Sequence, residues 1–282
     1  MTTLRAWRRQ IQFGLPTILG FTRRGFFIPY RHANNVDAQG SAYAPIETLF
    51  EANAESFAEW LSRAESYQAA FLDIGAAAPP EPRWRQDWFP RLDAAMAYVI
   101  TRVEKPVRIV EIGSGHSTRF FARAVRDGDL STEIIAIDPA PRADLDGLSS
   151  VRLHRMLLQD APEAVFATLA PGDILSIDSS HILMPGSDVD YLLNRILPIL
   201  PTGIIVHIHD MFLPDGYPAD WEWRGYNEQL GVAAILNSAG WAPLFSSHFV
   251  LTRMKAAFEK SVIATLPLET GALESGLWLK KG

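Results

Sequence analysis

Ile109–Thr118 reads IVEIGSGHST: an apolar run, an acidic residue, then two glycines bracketing a serine. Val107–Ile112 has the composition of a strand buried in a parallel sheet. Gly113 and Gly115 let the chain turn sharply and leave bare backbone for a ligand to approach. The turn opens a helix predicted over Thr118–Val125, whose unpaired amides favour a polar or anionic group. Strand, glycine turn and helix together make a nucleotide-type cradle. Two glycines alone are a weak signal. Glu111, two residues before the first, and Asp138, closing the next apolar run, strengthen it.

Working outward, the chain alternates beyond Pro106. Strands are predicted at Val107–Ile112, Glu133–Asp138, Val151–Arg155, Asp173–Asp178 and Gly203–His209. Between them lie helices at Thr118–Val125, Pro162–Leu169 and Asp188–Leu197 and a turn near Ala143–Leu148; Pro198 stops the last helix. Strands separated by helices imply crossovers and a parallel sheet covered on both faces. After a helix at Asn227–Ser238, two β-like runs, Trp241–Phe245 and His248–Thr252, are joined only by Ser246–Ser247. That link is too short for a crossover, so an antiparallel hairpin is predicted. The fold class is α/β: a Rossmann-like doubly wound sheet, mostly parallel, with a C-terminal antiparallel hairpin and a helical N-terminal extension.

The extension is expected over residues 1–82 and the catalytic domain over 83–282. Thr48–Ile74 has apolar residues on one helical face, Gly75–Pro82 (GAAAPPEP) reads as a linker, and Arg91–Val103 reads as a helix feeding the first strand. With 282 residues, 48% of them hydrophobic, the chain can bury a full core. It has no cysteine, so thiolate metal sites and disulfides are excluded. A net charge of −6 argues against a general nucleic-acid binder. No apolar run approaches the roughly 20 residues of a membrane span, and no signal-peptide pattern appears; a cytoplasmic protein is expected. The N-terminus departs from the average: six arginines and no acidic residue fall between Met1 and Arg31. Such an arm either packs on the domain or on a second subunit in a homo-oligomer, or makes peripheral contact with anionic lipid or a lipid-linked glycan.

A parallel sheet finished by an antiparallel pair resembles the class I S-adenosylmethionine-dependent methyltransferases. The resemblance covers about Pro106–Arg253, and IVEIGSG matches that superfamily's first motif. A dinucleotide-binding half would carry a third glycine where Ser117 and Thr118 stand. The resemblance implies S-adenosylmethionine as cofactor. Glu111 would lie near its amino group, Gly113, Gly115 and Ser117 along its amino-acid tail, Asp138 at the ribose hydroxyls, and Gln159 and Asp160 at the adenine.

The fourth strand runs into DSSH and the fifth into HD, and both tips should face the crevice beside the glycine turn. Asp178, His181, His209 and Asp210 are therefore expected to converge. This pattern resembles the metal-dependent O-methyltransferases acting on sugars and natural products. That resemblance implies His181 as general base and Asp178 and Asp210 as ligands of a divalent metal, Mg²⁺ or Mn²⁺. The group has a carboxylate where this chain has His209. Either His209 joins the metal, which then differs, or there is no metal and His209 is a second hydrogen-bonding group. His207 reads as a core histidine. His32, His154 and His248 read as structural.

Phe212–Tyr226 (FLPDGYPADWEWRGY) is long, aromatic and punctuated by proline and glycine, as functional loops often are. Trp221, Trp223 and Tyr226 are candidates to stack on the acceptor. The expected activity is methyl transfer to a hydroxyl of a small molecule or glycan. The alternatives are an NAD-dependent oxidoreductase on a related sheet and a non-catalytic cofactor-binding scaffold.

Overall fold

The computed structural model describes residues 2–36 and 40–282. Seven strands form one sheet: β1 (Arg108–Ile112), β2 (Glu133–Ile137), β3 (Val151–His154), β4 (Ile174–Ile177), β5 (Ile205–Ile208), β6 (Trp241–Ser246) and β7 (Leu277–Lys281). Their order is β3-β2-β1-β4-β5-β7-β6. β1 to β5 pair in parallel, and β7 runs antiparallel to both β5 and β6. The chain builds outward from β1 in one direction and then restarts at β4 in the other. The crevice between the β1 and β4 tips is thus the switch point where such sheets bind ligands.

The first five strands lie within a residue or two of their predicted positions. The hairpin does not form as predicted. His248–Thr252 belongs to a helix, Ser247–Arg253, and Ser246 is its cap: the Ser246 hydroxyl accepts from the Phe249 amide. The antiparallel partner of β6 is β7, some thirty residues on. A short apolar run such as HFVL has no periodicity that separates strand from helix, and here a serine cap favours the helix. Thr48–Ile74 is also not one helix. It is broken into Ala44–Ala52, Ala54–Ala64 and Gln68–Asp73 at Asn53 and Tyr67. Asn53 turns its side-chain amide back to the Leu49 carbonyl, competing with the backbone for that acceptor.

The Arg91–Glu104 helix carries the sheet's packing. Every residue from Leu92 to Thr101 is buried, because the helix lies between the His116–Asp127 helix and the N-terminal helices. It ends where Lys105 turns left-handed and Pro106 follows. Phe57, Trp60 and Phe71 of the N-terminal helices share one core with Ile109, Val110 and Leu175 of the sheet, and Phe57 meets Phe245 of β6 edge to face. Before these helices, residues 2–36 form an arm: a helix Thr2–Arg9, a wide turn, a short helix Leu15–Ile18 and irregular chain. Its inner side reaches the crevice at the strand tips.

Candidate active site

The site is assembled by close approach of two strand tips. The Asp178 amide donates to the Ile112 carbonyl at 2.8 Å, so the chain leaving β4 lies directly against the chain leaving β1. Gly113, at φ +76°, sits at that contact. A Cβ there would overlap the Asp178 carbonyl oxygen and lie 3.1 Å from its carbon. Only glycine fits both the backbone angle and the space.

Asp138 secures the other side of the turn. Its carboxylate accepts from the Ser114 amide at 2.7 Å and hydroxyl at 3.1 Å, and from the Ala140 amide at 2.7 Å. Glu111 is fully buried and accepts from the Ser117 and Thr118 hydroxyls, each at 2.5 Å; the Thr118 hydroxyl also receives the Gly115 amide. Burial pushes the Glu111 carboxyl up to about 8 against those two bonds, which favour the charged form. Glu111, Ser117 and Thr118 therefore brace the turn from behind. His116 is also buried, and burial pushes it down to about 4, with the Arg119 and Arg83 charges acting in the same direction.

A cavity of about 1210 Å³ opens over this turn. Gly113, Ser114 and Asp138 line its floor, Leu157, Leu158 and Gln159 one side, and Asp178 and Ser179 the other. The N-terminal arm and the Trp223–Arg224 stretch cover it, with the Arg9 guanidinium 5.1 Å from the Trp223 ring centre. Of the predicted site residues, Gly113, Asp138, Gln159, Asp178 and Trp223 line the cavity. Gln159 donates to the Gly186 carbonyl, tying the adenine-side loop to the chain after β4. Asp160 is exposed and does not line the cavity; nor do Glu111, Gly115 and Ser117. Trp221 and Tyr226 do not line it either: Trp221 packs against Phe212 of the same loop, and Tyr226 against the His181 ring at 4.6 Å.

His181, His209 and Asp210 do gather, immediately behind Asp178. His181 Nε2 lies 3.2 Å from Asp178 Oδ1 and 3.4 Å from Asp210 Oδ2, and its Nδ1 is 2.9 Å from Glu228 Oε2. His209 Nδ1 lies 3.7 Å from Asp178 Oδ1 and 3.5 Å from Asp210 Oδ1, with Nε2 3.4 Å from Asp93. Carboxylates and imidazoles thus alternate. Burial opposes charge on His181, but Asp178, Glu228 and Asp210 overcome it and push the imidazole well above its usual value. His209 is raised against burial in the same way, by Asp210, Asp178 and Asp93. Burial would raise Asp178, yet the two imidazoles beside it hold its carboxyl well below the usual range. Asp178 is the member that opens to the cavity, its side chain 28% exposed against 4% for His181.

His181 and Asp210 both have left-handed backbone, at φ +60° and +57°. Non-glycine residues there cost on the order of 1–3 kcal/mol each and cluster at functional sites. His207 is a core residue: its Nδ1 is 3.0 Å from the Ser176 hydroxyl, Trp278 packs on its ring, and burial pushes it down to about 3. His248 pairs with Asp215 at 2.7 Å, away from the cavity lining.

The predicted metal set, Asp178, His209 and Asp210, is brought together, but not as a cage. Among the described residues no three His, Cys, Asp or Glu side chains are disposed to hold a metal ion. The gap between the Asp178 and Asp210 carboxylates is bridged by His181 Nε2, and His209 Nδ1 lies within 3.7 Å of both. As placed, this donor set does not fit a divalent cation.

Two participants were not anticipated. Asp93, wholly buried, accepts from the Ser275 and Gly276 amides and so joins the entry to β7 to the His209 side of the cluster. Glu228, at the start of the Glu228–Leu236 helix, anchors His181. An aspartate inside the otherwise apolar LDAAMAYVI is the one signal that marks Asp93 in the sequence.

Residues 110–211, which span the glycine turn, Asp138, Asp178 and Asp210, match the family model described as a methyltransferase domain. These residues lie within Pro106–Arg253, the part of the chain that resembles the class I methyltransferases. A comparison with curated proteins finds no match. Among solved structures, the chain is similar to an S-adenosylhomocysteine-bound methyltransferase of Podospora anserina at 14% identity, over 92% of this chain and 99% of that one, with a TM-score of 0.43. It is similar to an O-methyltransferase of Streptomyces achromogenes involved in tomaymycin synthesis at 16% identity, over 79% and 89%, TM-score 0.40. An O-methyltransferase of Bacillus cereus is 12% identical over 79% and 91%, TM-score 0.40.

Proposed function

We propose that this protein transfers a methyl group from S-adenosylmethionine to a hydroxyl of a small-molecule or glycan acceptor. The observation that carries the reading is the position of Asp178. Within a methyltransferase domain, one partly exposed carboxylate opens to the same cavity as the glycine turn and Asp138.

The bound donor supplies a sulfonium methyl and leaves as S-adenosylhomocysteine. Gly113 and Ser114 offer backbone to its amino-acid tail, Asp138 has lone pairs left for the ribose hydroxyls, and Leu157 and Leu158 flank the adenine side with Gln159. Asp178 accepts a hydrogen bond from the acceptor hydroxyl and aims an oxygen lone pair at the methyl carbon. The carbon–oxygen bond forms as the carbon–sulfur bond breaks, and the hydroxyl proton passes to Asp178 and on to water. Holding the hydroxyl in line with the methyl carbon can contribute several orders of magnitude, and the lowered basicity of Asp178 lets the proton leave late. His181 is expected from the sequence to be the base itself. Its buried position and its retained proton favour a different part: a positioning residue that, with His209, fixes the Asp178 carboxylate. The reading uses no metal, because the carboxylates are already bridged by imidazole.

Calorimetry with S-adenosylhomocysteine and with NAD tests the cofactor. Binding of the first and not the second is expected, and the reverse would overturn the proposal. The scaffold alternative predicts no methyl transfer to any acceptor pool. The proposal predicts transfer that Asp178→Asn, which loses the acceptor that orients the hydroxyl, lowers about 100-fold with cofactor affinity kept.

A further inference from the structure

The arm that covers the cavity has an outer side that none of the other described residues covers. Among the described residues, twelve of the 21 exposed large hydrophobic side chains fall between Leu4 and Tyr30. Trp7 is 60% exposed, Leu19 55% and Phe21 81%. Isolated exposed apolar residues are ordinary, but a concentration of this kind marks an interaction site. The same segment carries six arginines and no acidic residue through position 36. With a net charge of −6 for the whole chain, an arm of +6 leaves −12 on the remainder. Net positive charge therefore falls on the segment whose apolar side chains are bare, and net negative charge on the rest.

We propose that the arm docks this protein on an anionic lipid bilayer. Trp7, Leu19 and Phe21 enter the interfacial layer, and Arg8 and Arg31 stay at headgroup level with their stems along the apolar surface, while Arg9, Arg23 and Arg24 line the cavity. The strongly acidic body is repelled by the same surface, so the arm alone faces the lipid. Phe13, Ile18, Phe27 and Ile28 are exposed and also line the cavity, so docking sets the cavity's rim at the membrane. The proposal goes beyond methyl transfer and stands or falls without it.

The full chain is sedimented with vesicles of phosphatidylcholine alone and of phosphatidylcholine with phosphatidylglycerol. Binding to the anionic vesicles only is expected, weakening as salt shortens the screening length. An arginine near such a surface is worth about fivefold in partitioning. Arg8→Glu with Arg31→Glu should therefore weaken binding by about 25-fold or more. Trp7→Glu with Phe21→Glu should abolish it. None of these four residues lines the cavity, so the thermal unfolding temperature should hold in both variants. Equal binding to neutral vesicles, no binding to either, or variants that bind like the parent would overturn the proposal. So would light scattering that shows a dimer undone by the same variants, for then a second copy covers the arm.

Discussion

Gly113→Ala tests the geometry on which the site depends. Two costs add at this position. The backbone is left-handed at φ +76°, which disfavours any residue with a Cβ by about 1–2 kcal/mol. The new Cβ also overlaps the Asp178 carbonyl oxygen, which must retreat by about 1.5 Å to reach a contact distance of about 3.5 Å. Overpacking of this kind costs about 1–3 kcal/mol. Together the loss is about 2–5 kcal/mol, which for a chain of this size lowers the unfolding temperature by about 4–20 °C. Gly147→Ala is the control. Gly147 is also left-handed, at φ +88°, but nothing lies within 4 Å of its added Cβ, so only the backbone cost applies. Because the retreat moves Asp178 and opens the turn, Gly113→Ala should also lose S-adenosylhomocysteine binding by calorimetry, whereas Gly147→Ala should keep it. If the two variants unfold at the same temperature and bind alike, the β1 and β4 tips do not approach as described. The assignment of Asp178 to the cavity then fails with them.

Glu111 gives a pH test. Its folded value near 8 exceeds its unfolded value of about 4.5, so the folded protein holds the extra proton between these limits and stability falls as pH rises through them. Glu111→Gln should raise the unfolding temperature at pH 8 more than at pH 5 (about 4.5 and 8 being the limits), and an equal shift at both would refute the assignment. His181 and His209 act on the alkaline side: both are raised, so the stability they contribute is full below about 6.5 and is lost as pH climbs through their folded values. A parent protein steeply destabilised by alkali, set against a flatter His181→Gln, is the expected comparison. Glu228→Gln removes one of three carboxylates from His181 while keeping its shape. It should cost about 3–5 kcal/mol in denaturant unfolding, as broken buried pairs do, and much less in a His181→Gln background. Chelation by EDTA should leave both unfolding temperature and methyl transfer unchanged; stabilisation by added Mn²⁺ would restore the metal to the site.

The first five strands, the glycine turn and the gathering at the β4 and β5 tips were legible because each is written locally. An apolar run followed by a turn signal needs no distant partner to be recognised. What was illegible depends on distance. β7 is short and earns its place only by pairing with β5 and β6. Asp93 meets Ser275 and Gly276 across about 180 residues. Glu228 looks like any acidic residue in a helix's first turn, where it would favour the positive end of the dipole, and only the fold shows it buried against His181. The helix at Ser247–Arg253 was misread because a serine cap and a tight hairpin link look alike over two residues. The arm's basic, apolar character was visible, but its position over the cavity is a tertiary fact.

The ion cluster behind Asp178 explains why so many charges are buried at one place. A lone carboxylate on an apolar wall would be raised by desolvation and would take up a proton, losing its power to accept from a hydroxyl. Two imidazoles held charged by Glu228, Asp93 and Asp210 prevent this, and Asp178 stays ionised although burial works against it. The same arrangement lowers its basicity, so its service to an acceptor is chiefly orientation, with the proton leaving late. A site built this way is sensitive to residues that never touch the ligand. Removing Asp93 takes a partner from His209 and two acceptor bonds from the Ser275 and Gly276 amides, loosening β7 and Asp178 at once. Asp93→Asn should therefore lower both the unfolding temperature and the methyl-transfer rate, although Asp93 lies outside the cavity lining. A variant that lost stability alone would separate the scaffold from the chemistry and remove the positioning role assigned to His209.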